Sequence, residues 1–270
     1  MEPISRRKSS PKFALIPQVI IESEEVTNLS GSAFHLLLIL ASQYNNHNNG
    51  DLSATYKQTY PLGFTSNDKL TKAKRELLES GLIFESRAGL FSRPMPSCSL
   101  YALAWQPIDE CGGKHHLKPT NKPIGKFKVT KNKQGRHNGR FAIIPREVIE
   151  HPSFIKLTGA AKRVLVLYAL RYRKNNNGKL FVSRKTLVHS GISSQATISS
   201  AIKQLTDSGL LICTRYGQFR NPGRCDPNYA ISWQIINQYG DYKGPRNNAF
   251  SPFDLQRNIE PISSSEDLAA

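Results

Sequence analysis

Two stretches of this sequence set hydrogen-bonding side chains at helical spacing, with no acid, base or nucleophile arranged among them. In the first, Ser66, Asn67, Lys69, Thr71, Lys72 and Arg75 share one side of a helix. In the second, Ser194, Gln195, Thr197, Ser199, Ser200 and Lys203 do so, opposite an inner face of Ile198, Ala201, Ile202 and Leu205. Short hydroxyls and carboxamides suit the donor and acceptor edges of base pairs: Gln195, and Asn67 at the matching position, can pair bidentately with an adenine edge. Arg75 or Lys69 can take a guanine or a phosphate. Lys74 stands where the second stretch has Ile202, so it either snorkels past the core edge or marks a slightly rotated helix.

Catalytic chemistry finds no footing. There is no Gly-x-x-x-x-Gly-Lys-Ser/Thr loop to cradle phosphates. His115-His116 lacks the intervening residue of a His-x-His pattern, and Cys111 beside these histidines lacks the second Cys-x-x-Cys half of a zinc site. The few carboxylates lie mainly on helix surfaces, which speaks against a two-metal nuclease. The chain therefore reads as a binding protein and not an enzyme, with no cofactor and no metal.

The charge supports binding to a polyanion. Against 37 Lys+Arg stand 20 Asp+Glu, a formal net charge of +17. Such an excess repels itself and draws nucleic acid first, anionic membrane second. The longest apolar run, near Phe34–Ala41, is far short of the roughly 18 residues that span a bilayer. The basic start of the chain has no apolar stretch behind it, so it does not read as a secretory signal. Cys98, Cys111, Cys213 and Cys225 are scattered, which fits free thiols in a reducing cytosol.

The elements that hold these stretches recur at one shift of 128 residues. Phe13-Ala-Leu-Ile-Pro17 returns as Phe141-Ala-Ile-Ile-Pro145, Leu29-Ser30-Gly31 as Leu157-Thr158-Gly159, and Asn48-Asn49-Gly50 as Asn176-Asn177-Gly178. Ser80-Gly81-Leu82 returns as Ser208-Gly209-Leu210, and Tyr101, Ala102 and Trp105 as Tyr229, Ala230 and Trp233, without a gap. In copy two, Thr158 caps a helix that runs to Tyr172, Leu180–Val182 is extended, Ser183 caps a short helix to His189, and Gly191 breaks it. Ser193 or Ser194 caps a third helix that Asp207-Ser-Gly209 stops. A strand from Leu210 to Tyr216 then turns through a Gly/Pro loop and returns over Tyr229–Trp233. Copy one reads alike: Ser30 to Tyr44, Ala54 to Tyr60, a turn at Pro61-Leu-Gly63, Ser66 to Glu79, and a ribbon from Leu82 to Trp105.

This order and the run Gly191-Ile-Ser-Ser-Gln-Ala-Thr-Ile-Ser-Ser resemble the winged helix-turn-helix superfamily. The expected fold is mainly α with small β wings, as two tandem winged helix-turn-helix domains over 12–106 and 140–239. Residues 1–11 form a basic tail, 107–139 a basic linker and 240–270 a polar, disordered tail. The Ile-Pro openings, Leu-Ser/Thr-Gly before the first helix and Ser-Gly-Leu-Leu/Ile after the third are similar to DNA-binding domains of phage replication proteins. Plasmid replication initiators likewise join two winged helices. The stretch Ser99–Lys114 resembles uncharacterised helix-turn-helix proteins of proteobacterial mobile elements.

The resemblance implies double-stranded DNA as partner. It implies wing contacts from Arg87, Arg93, Arg215, Arg220 and Arg224; the basic composition of the linker adds non-specific phosphate contacts from Lys114, Lys118, Lys122, Lys126, Lys128, Lys131, Lys133 and Arg136. It leaves room for a homodimer or cooperative assembly on DNA and for the transcription or replication machinery, and it places the protein in a bacterial cytoplasm on the nucleoid, off membranes. The leading expectation is a sequence-specific transcriptional regulator reading a two-part site. A plasmid or phage replication initiator and a winged-helix protein-interaction adaptor are the alternatives. A linker of this length fixes neither the spacing nor the orientation of two half-sites.

Overall fold

The computed structural model describes residues 12–90, 96–127, 139–220 and 223–237. Copy one runs β1 (Phe13–Pro17), α1 (Gln18–Ile21), α2 (Glu24–Asn28), α3 (Gly31–Gln43), β2 (Leu52–Ser53), α4 (Tyr56–Thr59), a 3-10 turn (Tyr60–Leu62), α5 (Asn67–Glu79), β3 (Ile83–Arg87) and β4 (Leu100–Leu103). A further 3-10 turn, Cys111–Gly113, follows. Copy two runs β5 (Phe141–Pro145), α6 (Arg146–Glu150), α7 (Pro152–Ile155), α8 (Gly159–Arg171), α9 (Arg184–His189), α10 (Gln195–Asp207), β6 (Leu211–Arg215), β7 (Gln218–Arg220), β8 (Gly223–Cys225) and β9 (Asn228–Ile231).

The expectation of a mainly α chain of two tandem winged helix-turn-helix domains is overturned. Among the described residues the architecture is mixed α/β, with ten α-helices and nine strands in four small sheets. The strands are not confined to ribbons after each third helix. Phe13–Pro17 and Phe141–Pro145 form a sheet of their own, β1 antiparallel to β5, outside either ribbon. Four short helices, α1, α2, α6 and α7, fill segments too brief to show a helical period.

The caps fall where the residue types place them. Ser30, Thr158, Ser183, Ser66 and Ser194 each accept a hydrogen bond from the backbone N–H three residues on, satisfying an orphan donor of the first turn. Asn49 and Asn177 lie in the loops after α3 and α8. Each is fully buried, and its Nδ2 donates to three carbonyls: those of Leu103, Gln106 and Pro107 for Asn49, and of Ile231, Gln234 and Ile235 for Asn177. Each Oδ1 accepts from the strand N–H of Leu103 or Ile231, at 2.6 and 2.8 Å. A single carboxamide thus pins the end of each ribbon to the loop that follows the first long helix. Its loss would leave several buried backbone groups unpaired.

The two copies share one core. α3 and α8 are buried almost all round, from Ala33 to Ser42 and from Ala161 to Leu170. A helix with no solvent face must have neighbours on every side; here the second face of each packs against the other copy. Contacts across this seam occur twice with the halves exchanged. The β1–β5 register pairs Phe13 with Pro145 and Pro17 with Phe141, centred on Leu15 and Ile143. Gln18 N–H donates to Arg140 O at 2.7 Å, and the equivalent Arg146 N–H to Lys12 O at 2.9 Å. Gly31 meets Gly159 so closely that a Cβ on Gly31 would stand 2.8 Å from the Gly159 Cα. Such reciprocity is an isologous contact, so an approximate two-fold axis relates the copies. The seam, and not the connecting segment, sets their orientation.

The described part of the segment read as a basic linker lies on copy one. Ile108, His115 and Phe127 are buried, Asn49 N–H donates to Asp109 Oδ2 at 2.7 Å, and Gly125 N–H to Ala104 O at 3.0 Å. Three apolar or aromatic anchors suffice to hold a segment whose composition is otherwise polar. The tails 1–11 and 240–270, and Arg93, Lys128, Lys131, Lys133 and Arg136, lie outside the described residues.

Candidate nucleic-acid interface

Helices α5 and α10 bury matched stripes, Leu70, Ala73 and Leu77 in one and Ile198, Ala201 and Leu205 in the other. The opposite faces are open: Ser66, Asn67, Lys69, Thr71, Lys72 and Arg75 are all exposed, as are Ser194, Gln195, Thr197, Ser199, Ser200 and Lys203. The matched stripes show that α5 is not rotated. Lys74 is half-buried with its Nζ 5.9 Å from the centre of the Tyr101 ring, and burial lowers its pKa. It snorkels over an aromatic face instead of displacing the helix.

The cations of α5 differ in how they are held. Lys69 donates to Gly63 O at 3.1 Å and lies 5.7 Å from the Phe64 ring centre. Lys72 pairs with Asp68 at 2.8 Å and Lys203 with Asp207 at 2.6 Å, exposed one-turn pairs that a phosphate can displace at little cost. Gln195 Nε2 reaches Ser199 Oγ at 3.5 Å, a weak contact that leaves both groups available.

The ribbon arginines have internal work. Arg87 donates to Lys114 O at 2.9 Å and Cys98 O at 3.0 Å, and the equivalent Arg215 donates to Asp226 O at 3.1 Å. Each guanidinium ties the outgoing strand of its ribbon to the segment that leads into the return strand, and Arg87 is half-buried. The side chains of Arg220 and Arg224 lie outside the described part. Lys114 pairs with Asp51 at 2.5 Å and Lys126 with Glu25, while Lys118 and Lys122 are exposed. His115 Nε2 contacts Asp109 O at 2.8 Å. Among the described residues no three His, Cys, Asp or Glu gather as metal ligands, and no helix is long and apolar enough to cross a membrane.

The seam fixes how α5 and α10 stand to each other. The turn ahead of α5 packs on copy two, where a Cβ on Gly63 would lie 3.0 Å from Ile155 Cγ2; the turn ahead of α10 packs on copy one, where a Cβ on Gly191 would lie 2.9 Å from Thr27 O. Both polar helices thus begin at a brace supplied by the opposite copy. Sequence reasoning missed these braces because Thr27 and Ile155 sit in the short α2 and α7.

Beside the brace the symmetry breaks. Arg163 donates to Val26 O at 2.6 Å and to Leu29 O, with its guanidinium 4.9 Å from the Phe34 ring centre. The equivalent residue in copy one is His35, ringed by Phe64 and Phe154. Lys162, where copy one has Phe34, donates to His35 Nδ1 and Ile155 O, both at 3.2 Å. Burial pushes the Lys162 pKa down from 10.5 to about 8. Burial and the neighbouring Lys162 charge push His35 to about 3, so its ring is neutral at pH 7.

A lysine whose folded pKa lies below its unfolded value opposes folding while charged. That penalty is complete below pH 8 and fades as pH rises toward 10.5, where the folded state has lost a proton the unfolded state still holds. At about 1.4 kcal/mol per pKa unit, the penalty at pH 7 is on the order of 3 kcal/mol. Lys162→Met should therefore raise stability at pH 7 by about 1–2 kcal/mol, since Ile155 O and His35 Nδ1 lose a donor. In urea titrations from pH 7 to 9.5 the wild-type midpoint should climb toward that of the variant. Parallel curves, or a less stable variant, would show that the ammonium is not penalised.

In comparison with known proteins, no family model matches this chain, and neither a curated protein nor a solved structure does.

Proposed function

We propose that this chain is a sequence-specific double-stranded DNA-binding protein, a transcriptional regulator of the bacterial cytoplasm that reads a two-part site through the outward faces of α5 and α10. The observation that carries the reading is the pair of exposed, N-capped, hydrogen-bonding helix faces presented by two halves related by an approximate two-fold. A net charge of +17 supports it. The neutral face of α10 discriminates bases, and the cationic face of α5 supplies salt-sensitive affinity.

The test is binding to a selected duplex and to random duplex over a salt series. Gln195, Ser199 and Ser200 changed together to Ala should lower the specific-to-random ratio by about 10- to 100-fold and leave random binding almost unchanged. Lys69, Lys72 and Arg75 changed together to Gln should weaken both and flatten the log-log salt slope by about 2 to 3. Equal loss on both duplexes from the α10 variant would remove its role in base reading. Absence of binding to any duplex at moderate salt would favour a protein-binding adaptor.

A further inference from the structure

A cleft of about 620 Å³ opens at the seam, between α3 and α4 of copy one and α6 of copy two. Its size suits a small molecule. Ile39, Leu62 and Ile149 give it apolar lining, and Lys12, Lys57 and Arg146 give it three cations from three distant segments. Its one carboxylate, Glu150, is held by Arg146 Nε at 2.5 Å.

The uncommitted groups around the cleft are donors. Lys12 Nζ and Lys57 Nζ have no partner among the described residues. Gln58 spends its Oε1 on Thr55 and Ser53, leaving its Nε2 free. The acceptors that could compete are occupied: Gln43 Oε1 accepts from Ser53 N–H at 3.0 Å, and Asn48 Oδ1 from Asn45 N–H at 2.8 Å.

The two-fold makes the cleft informative, because the equivalent place in copy two is built differently. There Arg171 replaces Gln43 and spans the gap, donating to Thr186 Oγ1 at 3.2 Å, where copy one has Gln58. Gln18 replaces Arg146 and donates to both oxygens of Glu22, at 2.8 and 2.9 Å, so the cation on that side of the seam is gone and the one gained, Arg171, is spent on closing the gap. In copy one Gln43 folds back on Ser53 O at 2.8 Å and leaves the gap open.

From this arrangement we infer that the cleft is an effector site for a small organic anion, carboxylate- or phosphate-bearing with an apolar body, absent from the equivalent place in copy two. Such a ligand would bridge Lys57 on α4 to Arg146 on α6. The chain runs from α4 through the Tyr60–Leu62 turn directly into α5, so clamping α4 to copy two bears on how α5 is presented. That coupling rests on the proposed DNA reading; the binding itself does not.

Calorimetric titration of the full chain with benzoate, succinate and inorganic pyrophosphate tests the site. At least one should bind saturably, at one per chain. Lys57→Gln and Arg146→Gln should each weaken that binding more than 10-fold, Arg146→Gln installing the residue that copy one already carries at the equivalent position, Gln18. Lys185→Gln, removing the same charge from the equivalent place, should change it less than 2-fold. Equal loss in all three variants would mean general attraction to a basic protein and overturn the site, as would no saturable binding of any probe. Ligand that binds as expected yet leaves DNA affinity unmoved would overturn only the coupling.

Discussion

Gly159→Ala should destabilise the protein by about 2 kcal/mol, although alanine is the better helix former. Gly159 is the first residue of α8, and in isolation the change would favour the helix by a few tenths to about 1 kcal/mol. The seam reverses the sign. A Cβ at Gly159 runs into the Cα of Gly31, and a backbone atom cannot rotate aside as the end of a side chain can. α3 and α8 must move apart, and both are buried all round, so the displacement loosens packing on every face at once. Gly159→Leu should separate the halves outright. Trp105 and Trp233 are buried at equivalent places, one in each copy, so single-tryptophan variants report each half by fluorescence during urea unfolding. In the parent the two transitions should coincide; in Gly159→Leu they should part. A Gly159→Ala protein at least as stable as its parent would mean that the close approach carries no weight.

The gapless repeat made much of each copy legible. Cap residues announced the starts of α3, α8, α9, α5 and α10, because a side-chain oxygen before an apolar-periodic run answers a local need of the backbone. What joins the copies was not legible in the same way. Phe13–Pro17 and Phe141–Pro145 stood out as markers of the repeat, but a strand's residues do not name its partner, and this partner lies 128 residues away. Mixed α/β architecture followed from that pairing, which is why reading each copy alone led to a mainly α expectation. Leu36 to Leu40 does carry a signal: it has no polar break and more apolar surface than a one-faced helix can bury, as a second packing partner requires.

The candidate site divides along the same line. The outward faces of α5 and α10 follow from helical periodicity, and the structure leaves every one of those residues exposed. Arg87 and Arg215 were legible as ribbon cations but not as ties to their own ribbon, since carbonyl acceptors leave no trace in side-chain identity. The cleft was out of reach, because Lys12, Lys57 and Arg146 come from three distant segments and converge only across the seam.

If α5 and α10 read DNA, the two half-sites should be inverted with respect to each other and fixed in spacing. A flexible tether between independent readers would tolerate direct or inverted half-sites at many separations. Here the β1–β5 sheet, the Gly31–Gly159 contact and the braces from Thr27 and Ile155 hold the two helices about one axis. A two-fold arrangement of readers meets a two-fold arrangement of sites, and B-DNA repeats every 10–10.5 bp or so. Inserting about 5 bp between half-sites turns the second one to the far side of the duplex, where a rigid seam cannot follow. The second contact then loses its effective concentration, and affinity should fall by about 100-fold or more, to that of a single half-site. Reversing one half-site to make a direct repeat should do the same, and restoring a full turn by adding about 10 bp should not recover the loss, because the seam sets distance as well as phase. The half-sites should differ in sequence, since Asn67 and Lys69 face one and Gln195 and Thr197 the other. Selection from a random duplex pool, followed by titration of spaced and reversed variants, measures each term. Equal affinity for inverted, direct and respaced sites would mean that the seam does not position the readers, and the two-part reading would fall with it.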